Sequence, residues 1–274
     1  MAEKVRADDG LGFDNVPEIY DRVRPAYPPE LFVELCSYLT RGSGLRAVEI
    51  GPGTGQATRP LLEHGIAVTA VEPGKQLAAF LKQKLAAEFP RLDVVVAKFE
   101  DADLEAGAFD LAFAATSFHW LDRETRFQKC HDLLRDGGAL AVVHTNQIES
   151  AADGGFFARV QPVYDRHQHN DPPLTLPTED GLAPPEYDDL VVIGLFDEVR
   201  LHRFRWDQRY TSSEYGDLMR SYSGTQAMEP PQQEALIGDV CALIDAEFGG
   251  AITRPLVITL TLGRRGKRGH STRL

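Results

Sequence analysis

Cysteine is scarce in this chain: Cys36, Cys130 and Cys241 are the only three in 274 residues, and no two form a C-x-x-C pair. Scattered and odd in number, they argue against a disulfide framework and a structural zinc site, and they fit a reducing compartment. Long apolar runs are missing as well. No stretch approaches the roughly 20 residues of a membrane span, and M-A-E-K-V-R-A-D-D-G has no apolar segment of the signal-peptide kind. A cytoplasmic protein with no membrane partner is therefore expected. Positive charge is also short: 29 Lys and Arg stand against 41 Asp and Glu, a formal net charge of −12. That field repels a polyanion and makes nucleic acid an unfavoured partner. The local exception is R-R-G-K-R-G-H-S-T-R-L, residues 264–274, with five Lys or Arg and no acid. It reads as a frayed basic terminus, with an RNA- or phosphate-attracting tail as the alternative.

What is present is a rhythm. L-R-A-V-E-I reads as a strand closed by G-P-G-T-G, and Gln56 to His64 as a helix. A-V-T-A-V-E is a second strand, followed by a helical pattern from Lys75 to Phe89; L-D-V-V-V-A and F-D-L-A-F-A-A-T are strands three and four. A helix from about Arg123 to Leu134, a turn at D-G-G and the strand A-L-A-V-V-H-T complete the series. Alternation of this kind implies βαβ units and a parallel sheet covered by helices. Beyond Asn146 the pattern changes. Residues 150–190 are rich in Pro, Asp and His; then come a strand near Glu198 to Asp207, helices near Ser212–Ser221 and Pro231–Phe248, and the strand P-L-V-I-T-L-T-L.

The most specific motif is V-E-I-G-P-G-T-G, Val48 to Gly55. Glycine permits the tight turn and lets a ligand approach the backbone. Glu72 ends the second strand 21 positions after Gly51, where a carboxylate receives a ribose diol in nucleotide-binding folds. The spacing, however, is G-x-G-x-G, with Gln56 where a dinucleotide fingerprint wants its last glycine. Glu49, two residues before Gly51, is a poor neighbour for a pyrophosphate and a good one for an ammonium. S-adenosylmethionine has an ammonium, a sulfonium and a ribose diol, so it is favoured over NAD as cofactor.

With V-E-P at 71–73 and L-L-R-D-G-G-A-L added, these motifs resemble those of class I S-adenosylmethionine-dependent methyltransferases over most of residues 45–146. Y-D-R-V-R-P-A-Y-P, S-F-H-W-L-D and F-G-G-A-I are similar to a small-molecule subgroup related to the trans-aconitate-type enzymes. The resemblance implies an α/β fold: a Rossmann-like seven-stranded, mostly parallel sheet with helices on both faces, its last strand inserted by a final hairpin. The layout expected is an N-terminal helical lid (1–44), a cofactor-binding core (45–146), a partly helical substrate cap with the strand-six region (147–230), a C-terminal helix and last strand (231–263), and the basic tail (264–274). It implies that Gly51, Gly53 and Gly55 wrap the cofactor, Glu72 binds its ribose, Pro73, Phe99 and Glu100 meet the adenine, and Thr116 and Ser117 face the methionine part. As a lid, Tyr20 would cover the sulfonium and Arg24 meet the carboxylate; the other reading is a half-buried surface segment.

Methyl transfer needs alignment above all, and a base only when the acceptor arrives protonated. His119 sits at a strand's carboxyl end and is the candidate base, with a wall or positioning role the somewhat favoured reading. Phe118, Trp120, His144 and Asn146 are the other candidates for contact with a small-molecule acceptor. H-Q-H-N-D at 167–171 lacks a metal site's spacing and fourth ligand, so no metal is expected. A cofactor-binding module without turnover and an NAD-dependent oxidoreductase are the competing classes. Transfer to oxygen is preferred, on family analogy.

Overall fold

A computed structural model describes residue 14 and residues 17–39, 44–167, 175–182 and 184–266. The basic tail beyond residue 266 and residues 168–171 of H-Q-H-N-D lie outside the described residues. The chain folds as two compact units: a sheet unit of residues 26–144, 183–204 and 258–274, and a helical unit of residues 1–25, 145–182 and 205–257.

In the sheet unit, strands β1 (Arg46–Ile50), β2 (Ala67–Glu72), β3 (Leu92–Val96), β4 (Phe109–Ala115) and β5 (Leu134–Gln147) pair in parallel. With β6 (Phe196–Thr211) and β7 (Ala251–Arg265) they form a seven-stranded sheet in the order β3-β2-β1-β4-β5-β7-β6. The last strand thus enters between β5 and β6, as a terminal hairpin predicts. The innermost strands are buried over most of their length, which explains their largely apolar runs: Ala47 and Val48 of β1 and Leu111 to Ala114 of β4 have no exposed surface. Edge strand β3 is only half-buried.

Helices α2 (Pro29–Tyr38), α3 (Thr58–Glu63), α4 (Lys75–Leu85), α5 (Arg126–Leu133) and α7 (Pro185–Ile193) belong to this unit, α6 falling in the other. In α4 the buried residues are Leu77, Ala78, Leu81 and Leu85, the i, i+1, i+4, i+8 stripe of an amphipathic helix. Each leucine contributes roughly 1.5–3 kcal/mol through burial, and α4 packs on β2 and β3. One local expectation fails at D-G-G. No turn precedes the fifth strand; β5 begins at Leu134 and takes the segment in as an irregularity, five steps on β5 (Leu134 to Ala139) matching two on β4 (Phe109 to Leu111). Gly137, at φ +76°, supplies the left-handed residue such a bulge requires.

The helical unit contains α1 (Pro17–Val23), α6 (Phe156–Arg166), α8 (Ser212–Arg220), α9 (Ser223–Gln226) and α10 (Pro230–Glu247). Its core gathers Phe156, Val160, Tyr215, Leu218, Ile237, Val240 and Ile244, with Phe156 edge-on to Tyr215 at 5.2 Å. A reciprocal cap starts α8: the Thr211 hydroxyl accepts from Glu214 N, while the Glu214 carboxylate accepts from Thr211 N. Among the described residues no helix is long and apolar enough to cross a membrane.

Candidate active site

The chain runs outward from β1 through β2 to β3, then returns to the other side of β1 for β4 and β5. The reversal leaves a switch point at the carboxyl ends of β1 and β4, the place where open α/β sheets bind ligands. Every residue that follows these strands therefore lies on one rim of the sheet.

The glycine loop after β1 is held by backbone and carboxylate together. Gly51 N donates to Val71 O at 2.9 Å. Glu72, buried at the end of β2, accepts from Gly53 N at 3.0 Å and from Gly74 N at 2.9 Å, one on each oxygen. Glu72 thus ties the glycine loop and the turn after β2 to the end of β2. Gly51 adopts φ +62°, and a Cβ there would lie 2.8 Å from Ser117 Cβ. The Ser117 hydroxyl donates to Ile50 O, joining the end of β4 to the end of β1. Thr116 has φ +59°, unusual for a β-branched residue; its hydroxyl is 3.2 Å from that of Tyr27.

Glu49 is the one acid within β1. It is 1% exposed, and neither carboxylate oxygen has a hydrogen-bond partner among the described residues. Burial raises its pKa to about 8; the nearby Thr58 hydroxyl opposes the shift and the Glu72 charge adds to it. An orphaned buried carboxyl beside a glycine loop fits a cationic ligand, because an ammonium would supply the missing partner.

The turn after β4 holds Phe118, His119 and Trp120. His119 and Trp120 are exposed, with ring centroids 4.8 Å apart, and the His119 ring lies 6.2 Å from that of His144 near the end of β5. Packing around the rest of the His119 ring lowers its pKa; His144 and Arg126 lower it further, and Glu186 opposes them. Phe118 differs from expectation. It is fully buried, edge-on to Phe127 at 5.2 Å, and so forms core instead of pocket wall. Phe99 is likewise 3% exposed, with Lys129 Nζ 5.2 Å from its ring centre, which leaves it no open face for an adenine. Glu100 is exposed and accepts from Asp122 N at 3.1 Å; Pro73 is half-buried.

Three expected residues belong to the helical unit. Asn146 Nδ2 donates to Val257 O at 3.4 Å. Arg24 donates to the Ser221 hydroxyl and carbonyl, and its guanidinium lies 4.8 Å from the Tyr20 ring and 4.9 Å from that of Tyr222.

Two site neighbours escaped the sequence reading. Glu186, in the first turn of α7, is 1% exposed and places Oε2 2.9 Å from His144 Nε2. Arg126, 4% exposed, donates to Phe118 O at 3.1 Å and pairs with Asp189 at 3.2 Å, its guanidinium 4.7 Å from the Phe118 ring. P-P-E-Y-D-D signals a helix start, with Pro first and acids in the opening turn. That pattern identifies α7, but not where the helix docks.

A parallel sheet with this glycine loop, this acidic pair and a strained residue at its switch point is the arrangement of a Rossmann-like cofactor-binding sheet. Comparison with known proteins agrees. Residues 48–142, all within the sheet unit, match a family model described as a methyltransferase domain. An uncharacterised methyltransferase of Mycobacterium tuberculosis is 27% identical over 218 residues, covering 80% of this chain and 79% of its own. A protein from Anaeromyxobacter dehalogenans, described provisionally as a type II methyltransferase, has a TM-score of 0.58 at 24% identity, covering 89% of this chain and 97% of that one. Phosphoethanolamine N-methyltransferase 2 of Haemonchus contortus, solved with phosphomonomethylethanolamine and S-adenosylhomocysteine, has a TM-score of 0.54 at 12% identity, covering 93% of this chain and 58% of that one. Residues 48–142 thus carry a methyltransferase domain, and the fold around them is that of solved methyltransferases.

Proposed function

We propose that this methyltransferase acts on a small molecule and transfers the methyl group to an oxygen by in-line displacement. The observation that carries the reading is the pair of imidazoles, His119 and His144, 6.2 Å apart at the rim formed by the ends of β4 and β5. An oxygen acceptor that arrives as a hydroxyl must lose a proton, and an imidazole is suited to take one near neutral pH. The net charge of −12 supports a small acceptor over a nucleic acid.

In this reading Gly51, Gly53 and Gly55 give the cofactor's methionine and ribose end a close backbone, Glu49 meets its ammonium and Glu72 its ribose hydroxyls. When bound, S-adenosylmethionine supplies a methyl group on a cationic sulfur, already activated toward a nucleophile. The chain's own task is then alignment and exclusion of water, and orienting two bound reactants contributes about 7–11 kcal/mol. Thr116 and Ser117 position the methionine part, while His119, Trp120 and His144 border the acceptor.

The test is methyl transfer to a panel of hydroxyl, carboxyl and amine compounds, with RNA and protein fractions beside them. Products heavier by one methyl group on oxygen support the proposal. Labelling confined to RNA, to protein or to nitrogen overturns it.

A further inference from the structure

The contact between Glu186 and His144 goes beyond what methyl transfer as such requires. Glu186 arrives on α7 from residues 183–204, a segment distant in sequence from β5, and buries its carboxyl against the His144 ring. The two atoms are 2.9 Å apart, close enough for an ion pair although out of line for a conventional hydrogen bond. Burial alone would raise the Glu186 pKa. The approach of His144 and the Arg126 charge outweigh it, so the carboxyl titrates below its ordinary value and is ionised at neutral pH. A buried carboxylate retained at this cost needs a proton donor or a cation beside it, and the ring of His144 is the group in contact.

The arrangement fixes the roles of the two ring nitrogens. Nε2 faces Glu186, so a neutral His144 places its proton there and keeps its lone pair on Nδ1. His119 has no carboxylate within ion-pair distance among the described residues, and the groups around it disfavour its charged form. The groups facing His144 are His119 from the turn after β4 and Glu186 from α7. Arg126 of α5 acts on both, with its own charge partly met by Asp189.

We propose that His144, held through Nε2 by Glu186, takes the acceptor's proton, and that the acceptor is a weakly acidic hydroxyl of the phenol or enol class. This rests on the oxygen-transfer reading above and names its substrate class. The step balances. The acceptor O–H bond breaks and its proton goes to Nδ1; the oxygen bonds the methyl carbon, and sulfur keeps the electron pair of the broken C–S bond. The resulting imidazolium is stabilised by the Glu186 carboxylate. A carboxylate acceptor would need no base, and a phenol or enol hydroxyl, being more acidic than an aliphatic alcohol, is the better match to an imidazole base. His144 is thus a catalytic residue, and Glu186 a positioning residue that acts through it.

Imidazole nitrogen NMR of the full chain with S-adenosylhomocysteine tests this without an identified acceptor. Neutral His144 is expected to carry its proton on Nε2, and Glu186→Gln to shift the tautomer balance toward Nδ1. A proton on Nδ1 in the wild type, or an unchanged tautomer balance in the variant, overturns the proposal; if Glu186→Gln does not fold, the wild-type tautomer decides. In turnover, phenols and enols should be methylated, with a loss of about a hundred-fold or more in His144→Ala. Glu186→Gln should lower kcat and leave KM nearly unchanged, as expected of a residue that acts through the base and not on substrate binding. Methylation of carboxylic acids alone, or loss of turnover in His119→Ala and not in His144→Ala, sinks it. Failure of the wild-type chain to bind S-adenosylhomocysteine, read by calorimetry, would instead count against the cofactor reading and leave the His144 tautomer to be judged separately.

Discussion

Ser117 and Gly51 meet so closely that a Cβ on the glycine would stand 2.8 Å from the serine Cβ. The contact joins the ends of β1 and β4 across the switch point, and it accounts for the first glycine of the loop before any ligand is considered. Gly51→Ala is expected to destabilise the protein by about 2–4 kcal/mol, from the contact and from the cost of a side chain at φ +62°. Adding Ser117→Gly should recover only the share due to the contact. Urea unfolding of the single and double variants separates the two; full recovery would show that backbone strain is negligible at this position.

Glu72 carries two duties, and the prediction for it changes accordingly. Glu72→Ala removes the acceptor for both Gly53 N and Gly74 N, so it should cost about 1–3 kcal/mol of stability as well as affinity for S-adenosylmethionine. Calorimetric titration alongside thermal unfolding would measure both. Weakened binding with unchanged stability would mean that the loop holds itself without the carboxylate.

Glu49 makes the cofactor-free protein sensitive to pH. A carboxyl raised to about 8 in the folded chain keeps its proton there while the unfolded chain has already lost its own. Its stabilising contribution is therefore full below the ordinary carboxylate pKa and is lost as pH rises through about 8, by on the order of a few kcal/mol. Glu49→Gln should abolish that decline and weaken S-adenosylmethionine binding. Unfolding measured from pH 4 to 9 (about the range spanned by both pKa values) checks the first, and a decline persisting in the variant refutes it.

Phe118 and Trp120 are two residues apart and should respond in opposite ways. Phe118→Ala opens a cavity in a fully buried position and is expected to cost about 3–5 kcal/mol. Trp120, 38% exposed, should change stability by less than about 1 kcal/mol when replaced by Ala, with its effect falling on acceptor KM. Denaturant midpoints for both variants decide it. A large stability loss in Trp120→Ala would place that ring in the core.

Much of this protein was legible because its signals are local. The glycine loop, the acid ending β2 and the alternation of apolar runs with amphipathic stretches each depend on residues within a few positions of one another, so the parallel sheet and its glycine loop follow from the chain alone. S-F-H-W-L-D was placed correctly at a strand's end, yet nothing local told which of its rings turns inward. Packing against Phe127 and Arg126 settled that for Phe118. D-G-G looked like a turn because glycine permits one, and pairing with β4 absorbed it into β5 instead.

The Glu186–His144 contact lay beyond any reading of sequence. It joins residues forty-two apart in the chain, and an acid at a helix start is by itself no more than a favourable end charge. Sequence determined the glycine loop and the acids that flank it, because a βα loop carries its own geometry. Tertiary structure alone decided which histidine stands beside a buried carboxylate, because that depends on where α7 docks.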